Sequence, residues 1–210
     1  MFAFGEPDLW RYFDRLLSSI DIPLMIQDVN PSGPTVTARF VSDLHNAHPH
    51  FRWIKLEEPM MSSKVVAILE ATSGEVGVLE GWGGMYMLDL IPAGICGVMP
   101  GLAISDVLAK VFQLATHNDL VGAYQVHEGA LPQISFSLQH IELFHHTEKR
   151  LLVARGILPS AAVRPLTLQL DRHTEERIAF LNGRILALLD QLDLPRHPSL
   201  LPSHEGVWEV

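Results

Sequence analysis

Short apolar runs alternate with longer amphipathic segments over the first half of the chain. The segment that opens at Pro7 repeats apolar residues at three- and four-residue spacing, which predicts an amphipathic helix that ends before Asp21. Similar helices are expected over residues 60–72, 85–93 and 104–116. Short strands that alternate with helices are typical of βαβ units around a parallel sheet. The runs predicted as strands are residues 2–4, 22–29, 51–57, 76–81 and 95–99.

After residue 116 the strand pattern stops and the apolar positions become helical. Helices are predicted over residues 120–144, with a break near Pro132, and over 148–156 and 174–192. The proline-rich end predicts an irregular tail. The chain is therefore expected to have three parts, which are an α/β part over 1–116, a helical region over 117–193 and an irregular tail over 194–210.

The strand pattern limits the fold to two architectures. An all-parallel sheet must be covered by helices on both faces or be closed into a barrel. A complete (β/α)8 barrel needs about 250 residues, whereas these 210 residues hold five predicted strands and a helical region. The predicted fold class is α/β, either as an open sheet or as most of one half of a barrel.

The composition predicts a folded protein with a large core. Hydrophobic residues make up 48% of the chain and charged residues 19%, and the mean hydropathy is +0.19. The formal net charge of −9 argues against nucleic acid as a partner, because phosphate backbones are bound by clustered basic residues. No apolar run is long enough to span a membrane, and no basic leader opens the chain. Neither membrane insertion nor export is therefore expected.

The single cysteine, Cys96, lies in a predicted strand and is interpreted as a small core residue. One cysteine forms neither an intrachain disulfide nor a cysteine-based zinc site. This count predicts a protein of a reducing compartment, with the cytoplasm as the expected location.

Two histidine groups and two glycine-rich segments carry weaker signals. The histidines do not show metal-ligand spacing, so we interpret them as solvated polar side chains and predict no metal site. Residues 81–84 and 97–101 are interpreted as tight turns. A phosphate site is the alternative for these turns, since barrels bind phosphate after late strands, although no lysine or arginine accompanies them. The histidines are His45, His48, His50, His140, His145 and His146.

Lys55 is the strongest candidate for chemistry. It interrupts an apolar strand next to Ile54 and Leu56, where desolvation would favour the neutral amine. A neutral amine attacks a ketone or an aldehyde and forms a Schiff base, which then promotes the making or breaking of a neighbouring bond. The alternative is a lysine at a strand end whose ammonium lies in water or pairs with Glu57 or Glu58.

Four segments resemble consecutive strand ends of one enzyme family. They are IPLMIQDVNPSG at 22–33, IKLEE at 54–58, LEGWGG at 79–84 and AGICGVMPGLAISDVLAKVF at 93–112. In order and spacing they are similar to the dihydrodipicolinate synthase and N-acetylneuraminate lyase family of Schiff-base (β/α)8 aldolases and lyases. The resemblance runs over nearly the whole chain and includes the helical region that follows the family's barrel.

The resemblance implies roles for four residues. Lys55 becomes the Schiff-base lysine at the end of the sixth barrel strand, and Gln27 stands where better-known members carry a proton-relaying tyrosine. Gly81 matches the backbone that lines the pocket after the seventh strand, and Met99 matches the eighth-strand residue whose main chain lies beside the oxo acid. Where synthase members bind a substrate carboxylate with an arginine, this chain has Ser32, so the synthase reaction itself is not expected.

The resemblance also implies a partial barrel of strands four to eight, N-terminally truncated, followed by the helical region. The family's first three strands have no counterpart before Met1, so the outer strands would be apolar edges that another copy must cover. We therefore expect a homo-oligomeric lyase or aldolase acting on a pyruvate-type 2-oxo acid, without cofactor. The alternative is a catalytically inactive fragment or pseudoenzyme that assembles with other subunits.

Overall fold

The computed structural model describes residues 5–29 and 36–197. Contacts group the chain into two compact units that divide between Pro100 and Gly101. The boundary predicted at residue 116 follows the last helix of the α/β part. The contacts instead group residues 101–116 with the helical region that follows. The predicted strand at 2–4, Ser32 and most of the predicted tail lie outside the described residues.

The first unit alternates helices and strands, as the apolar pattern predicts. Its elements are α1 (Glu6–Leu17), β1 (Leu24–Val29), α2 (Ala38–Ala47), β2 (Phe51–Glu57), α3 (Ser62–Ala71), β3 (Gly77–Glu80), α4 (Met87–Leu90) and β4 (Gly97–Val98). Helix α2, which the sequence pattern did not delimit, begins at the N-cap Thr37, whose side chain accepts a hydrogen bond from the backbone of Phe40 at 3.1 Å.

The described strands form one parallel sheet in the order β1-β2-β3-β4. Ile54, Leu56 and Val78 are fully buried and lie on the face that packs against α2 and α3. Alternate residues point to the opposite face, because strand side chains repeat with a period of two. Lys55 and Gln27 lie on that opposite face, called here the uncovered face because α2 and α3 pack against the other one.

The second unit contains a 3₁₀ turn (Leu102–Ile104) and the helices α5 (Ser105–Thr116), α6 (Leu120–Ser137), α7 (Ile141–Ala154) and α8 (Arg172–Gln191). Its core includes Ala130 and Ile134 from α6 and Ile178, Leu181 and Ile185 from α8. No helix among the described residues is long and apolar enough to cross a membrane.

The predicted helix break near Pro132 is wrong, since α6 continues through this proline. Buried Ala130, Gln133 and Ile134 flank Pro132, and packing of this kind outweighs the loss of one helical hydrogen bond. The chain breaks instead before α7, where the ring of the N-cap His140 accepts a hydrogen bond from the backbone of Glu142 at 3.2 Å. The helix predicted at 148–156 is therefore the second half of α7.

Two interpretations of polar or sulfur-bearing residues are also wrong. Cys96 is exposed rather than part of the core, because its sulfur lies on the uncovered face, where a Cβ on Gly77 would meet it at 2.9 Å. Like His146, His45 is buried rather than solvated. Its ring nitrogens lie 2.8 Å from the Phe51 carbonyl and 2.8 Å from the Glu75 carboxylate, so it fastens α2 to its neighbours.

Candidate active site

The parallel register brings Lys55 and Gln27 together. Gln27 of β1 pairs directly with Lys55 of β2, and both side chains point to the uncovered face of the sheet. A register one residue different would have turned one of them into the helix-covered face. The positions of both side chains therefore depend on the alternation along each strand, in which Ile26 and Ile54 are buried on the other face.

Glu57 connects these two side chains. Its Oε1 atom lies 2.7 Å from Lys55 Nζ and accepts a hydrogen bond from Gln27 Nε2 at 2.5 Å. The side chains of Lys55 and Glu57 are only 15% and 19% exposed, so this ion pair is largely shielded from water. Pairing of the Lys55 ammonium with Glu57 is the contact that the sequence left open as the alternative to a desolvated, neutral amine.

Glu57 is the functional candidate that sequence reasoning missed as a site residue. The signal was present in the spacing, since residues two apart on a strand share a face. A carboxylate beside an amine is an acid–base pair, because one group can hold the proton that the other releases.

Gly81 lies against the same pair. Its backbone donates a hydrogen bond to the Leu56 carbonyl at 2.9 Å, which carries the chain across the end of β2. A Cβ at this position would stand 2.4 Å from Glu57 Cγ and 2.7 Å from Lys55 Cε. The missing side chain at residue 81 thus leaves the space that Lys55 and Glu57 occupy.

Met99 is the predicted residue that this group does not include. It follows β4, which is two strands away from β2, and its backbone donates to the Glu80 carbonyl at 2.9 Å. Its side chain is 38% exposed.

The turn after β3 is held from inside by Glu80. This fully buried carboxylate accepts hydrogen bonds from the backbone of Gly84 at 2.7 Å and of Tyr86 at 3.4 Å. Burial raises the pKa of Glu80, and these backbone donors oppose the rise. Gly83 and Gly84 adopt positive φ values of 65° and 86°, so the tight-turn interpretation of residues 81–84 fits, and Glu80 engages the backbone N–H of Gly84 in this turn.

A second charged group lies behind the site, on the helix-covered face. Lys64, in the first turn of α3, contacts Asp28 at 2.9 Å and Glu58 at 2.8 Å. Both carboxylates are nearly fully buried. Buried charges need partners to offset their desolvation. The Lys64 ammonium forms ion pairs with carboxylates at the ends of both β1 and β2.

The remaining histidines have separate partners. His48 Nε2 lies 2.9 Å from Asp14 and His50 Nε2 lies 3.1 Å from the Leu17 carbonyl. Within the described ranges, no three histidine, cysteine, aspartate or glutamate side chains come together in a way that could hold a metal ion.

Three comparisons place this geometry among known proteins. No family model matches the chain. A curated relative, the L-2-keto-3-deoxyarabonate dehydratase of Azospirillum brasilense, is 23% identical over 164 residues, which are 78% of this chain and 52% of the dehydratase. A dihydrodipicolinate synthase from Rhodopseudomonas palustris superposes with a TM-score of 0.77 at 21% identity, covering 86% of this chain and 62% of the synthase.

The chain has the fold of the dihydrodipicolinate synthases. A second solved structure agrees, namely YagE, a prophage protein of that family from E. coli K12 in complex with pyruvate, with a TM-score of 0.70 at 20% identity over 92% of this chain and 63% of YagE. The resemblance predicted from the sequence is thus confirmed for the fold. The chain spans about half the length of the curated dehydratase and less than two thirds of these solved dihydrodipicolinate synthase-type chains.

Proposed function

We propose that the chain is a Schiff-base-forming lyase or aldolase that acts on a pyruvate-type 2-oxo acid, with Lys55 as the nucleophile. The observation that carries the proposal is the shielded contact between Lys55 Nζ and Glu57 Oε1 at 2.7 Å. The dihydrodipicolinate synthase fold, the dehydratase relative and the pyruvate bound to YagE support it. In the same proposal, β1 to β4 correspond to barrel strands five to eight.

Imine formation needs a base beside the lysine. Lys55 gives a proton to Glu57, and the neutral amine attacks the C2 carbonyl of the oxo acid. The resulting carbinolamine loses its hydroxyl as water, using the proton held by Glu57. The products are a protonated imine, one water molecule and a Glu57 carboxylate ready for the next step.

The protonated imine then activates the neighbouring carbon. Glu57 removes a proton from C3, and the electron pair moves into an enamine because the imine nitrogen accepts it. In a dehydration, the enamine expels the C4 hydroxyl, which leaves as water with the proton that Glu57 took from C3, and a conjugated protonated imine remains on Lys55. For an aldol cleavage, a base instead removes the C4 hydroxyl proton of the imine, and the C3–C4 electron pair becomes the enamine.

Gln27 acts in this scheme through hydrogen bonding. An amide neither gives nor takes a proton at useful pH, but it donates and accepts hydrogen bonds. Because its Nε2 already reaches Glu57, it orients the carboxylate and leaves its carbonyl oxygen to hold a substrate hydroxyl or a water molecule. Gly81 keeps the space beside Lys55 open, and the main chain of Met99 lines the far side of the oxo acid.

We further propose that a second copy of the chain covers the uncovered sheet face. Met25 and Val29 of β1, on the same face as Gln27, are 39% and 51% exposed. Exposed apolar side chains on a sheet face favour association. Cytoplasmic location stays a prediction from the cysteine count.

Borohydride trapping tests the proposed function. The 210-residue chain is incubated with pyruvate and borohydride and digested, and each lysine-containing peptide is weighed by mass spectrometry. We expect a reduced pyruvate adduct on Lys55, its loss in Lys55→Ala and its retention in the matched control Lys110→Ala. An adduct that persists in Lys55→Ala, or no adduct at Lys55 in a chain whose circular dichroism shows it folded, overturns the proposal.

A further inference from the structure

A cavity of about 530 Å³ lies within the second unit, between α7 and the segment that follows it. Its volume falls in the range of small-molecule sites, about 300 to 1,000 Å³. From α7 it is lined by Ile141, His145 and Lys149, which share one helix face, and from residues 163–167 by Val163, Arg164 and Leu166.

The cavity is held open by bonds at both ends of the lining segment. At one end, Lys149 Nζ donates to the Ala162 carbonyl at 2.7 Å. At the other, the backbone of Leu168 donates to Glu142 at 2.8 Å, and the Leu168 carbonyl lies 2.9 Å from His146 Nε2. The segment is thus fixed to α7 on either side of the cavity. A preformed site of this kind binds a ligand with less loss of conformational entropy, because the segment is already ordered.

The charge of the lining favours an anion. Over the part of the chain that the structure describes, neither Lys149 nor Arg164 forms an ion pair. Glu142 also lines the cavity, and its carboxylate accepts a hydrogen bond from the Leu168 backbone. In a chain of net charge −9, a concave surface that holds two cations against this one carboxylate raises the local concentration of anions.

Apart from Glu142, His145 and Thr167, the rest of the lining is apolar. Ile141 is 63% exposed and Leu166 fully exposed, and Leu166 holds a positive φ of 66°. A bulky apolar residue in this backbone region is uncommon and marks a constrained position. Both α7 and residues 163–167 contribute a cation and aliphatic groups, a combination that fits a ligand with both an acidic group and an apolar body.

We propose that this cavity binds a small organic carboxylate with an apolar body. The site lies wholly in the helical unit and takes no part in the Schiff-base chemistry proposed above. Lys149 and Arg164 bind the carboxylate with charge-assisted hydrogen bonds, and Ile141, Val163 and Leu166 contact the apolar body.

The probe for this site is 4-(trifluoromethyl)benzoate, observed by ¹⁹F NMR in a titration with the full chain. Its matched neutral analogue is 4-(trifluoromethyl)benzamide, which has the same apolar body. We expect saturable binding of the benzoate and several-fold weaker binding of the amide. Lys149→Gln and Arg164→Gln should each weaken benzoate binding about three- to fivefold, as for a partly exposed ion pair.

The control variant is Arg184→Gln, which removes an exposed arginine of α8 outside the cavity and should leave the affinity unchanged. Equal binding of benzoate and benzamide overturns the proposal. So does equal weakening by all three variants, which would indicate only a nonspecific effect of net charge, and so does an absence of saturable benzoate binding. Because the readout is ligand binding, none of these results depends on lyase activity.

Discussion

Replacing Gly81 with alanine tests the site geometry directly. The new methyl group would stand 2.4 Å from Glu57 Cγ and 2.7 Å from Lys55 Cε, whereas ordinary contact begins at 3.4 Å. The two side chains must therefore retreat by about 1 Å, since carbon atoms repel strongly below their contact distance. A misplacement of that size costs about 100-fold in rate when the reacting groups must be aligned.

The assay is the rate at which pyruvate becomes trapped on Lys55 under borohydride, measured with the thermal midpoint Tm. Gly81 does not use the left-handed backbone region, so alanine fits the backbone and the Tm should change little. The matched control is Gly97→Ala on the same sheet face, where the nearest atom is Leu79 Cδ2 at an ordinary 3.8 Å. Trapping at the wild-type rate in Gly81→Ala, or an equal loss in Gly97→Ala, would refute the reasoning.

Four further predictions follow from the same structure. Glu57→Gln should slow trapping on Lys55 by about 100-fold or more because the proton acceptor is lost, and an unchanged single-turnover rate would remove Glu57 from the mechanism. Gln27→Leu should weaken both binding and turnover of an oxo acid while Gln27→Tyr changes mainly turnover; if Gln27→Leu changes neither kinetic constant, the side chain does not face the substrate. Burial raises the pKa of Glu80 above 4.5, so the stability that its protonated form contributes is complete below that pH and is lost as pH rises through the folded-state pKa. Glutamine does not ionise, so the Tm of Glu80→Gln minus the Tm of the wild type should increase from pH 4.5 upward. A difference that does not change with pH would contradict this. Analytical ultracentrifugation should show an assembly of copies rather than a 23.4 kDa species, and a monodisperse monomer with cooperative unfolding would exclude it.

The local sequence pattern predicted where the strands lie more accurately than it predicted the contacts that their side chains make. Residues 51–57 were predicted as a strand and form β2 with those bounds, because apolar alternation is recorded in neighbouring residues. The acid–base role proposed for Glu57 depends also on its hydrogen bond with Gln27, 30 residues away on β1, and on the absence of a side chain at Gly81. Only the register of the sheet brings Gln27, Glu57 and Gly81 together. The spacing within β2 could therefore place Glu57 on the same face as Lys55, but it could not predict the other two contacts.

Errors arose where distant packing decides the local state. A proline normally predicts a helix end, yet α6 passes through Pro132 because residues around it are buried in the helical unit. His45 was expected in solvent, but its second partner, Glu75, is 30 residues away in sequence. Neither outcome is visible in a window of a few residues.

The contact of Lys64 with Asp28 and Glu58 has a consequence for how substrate range can change in this scaffold. The contact fixes the carboxyl ends of β1 and β2 on the helix-covered face. A shift of one strand along the other would leave two buried carboxylates without their shared cation. Mutations that widen or narrow specificity are therefore expected in the turns beyond the strands, where the backbone can be lengthened or reshaped. In a directed-evolution library, Asp28, Glu58 and Lys64 should stay invariant among active clones even though all three lie on the helix-covered face, opposite Lys55.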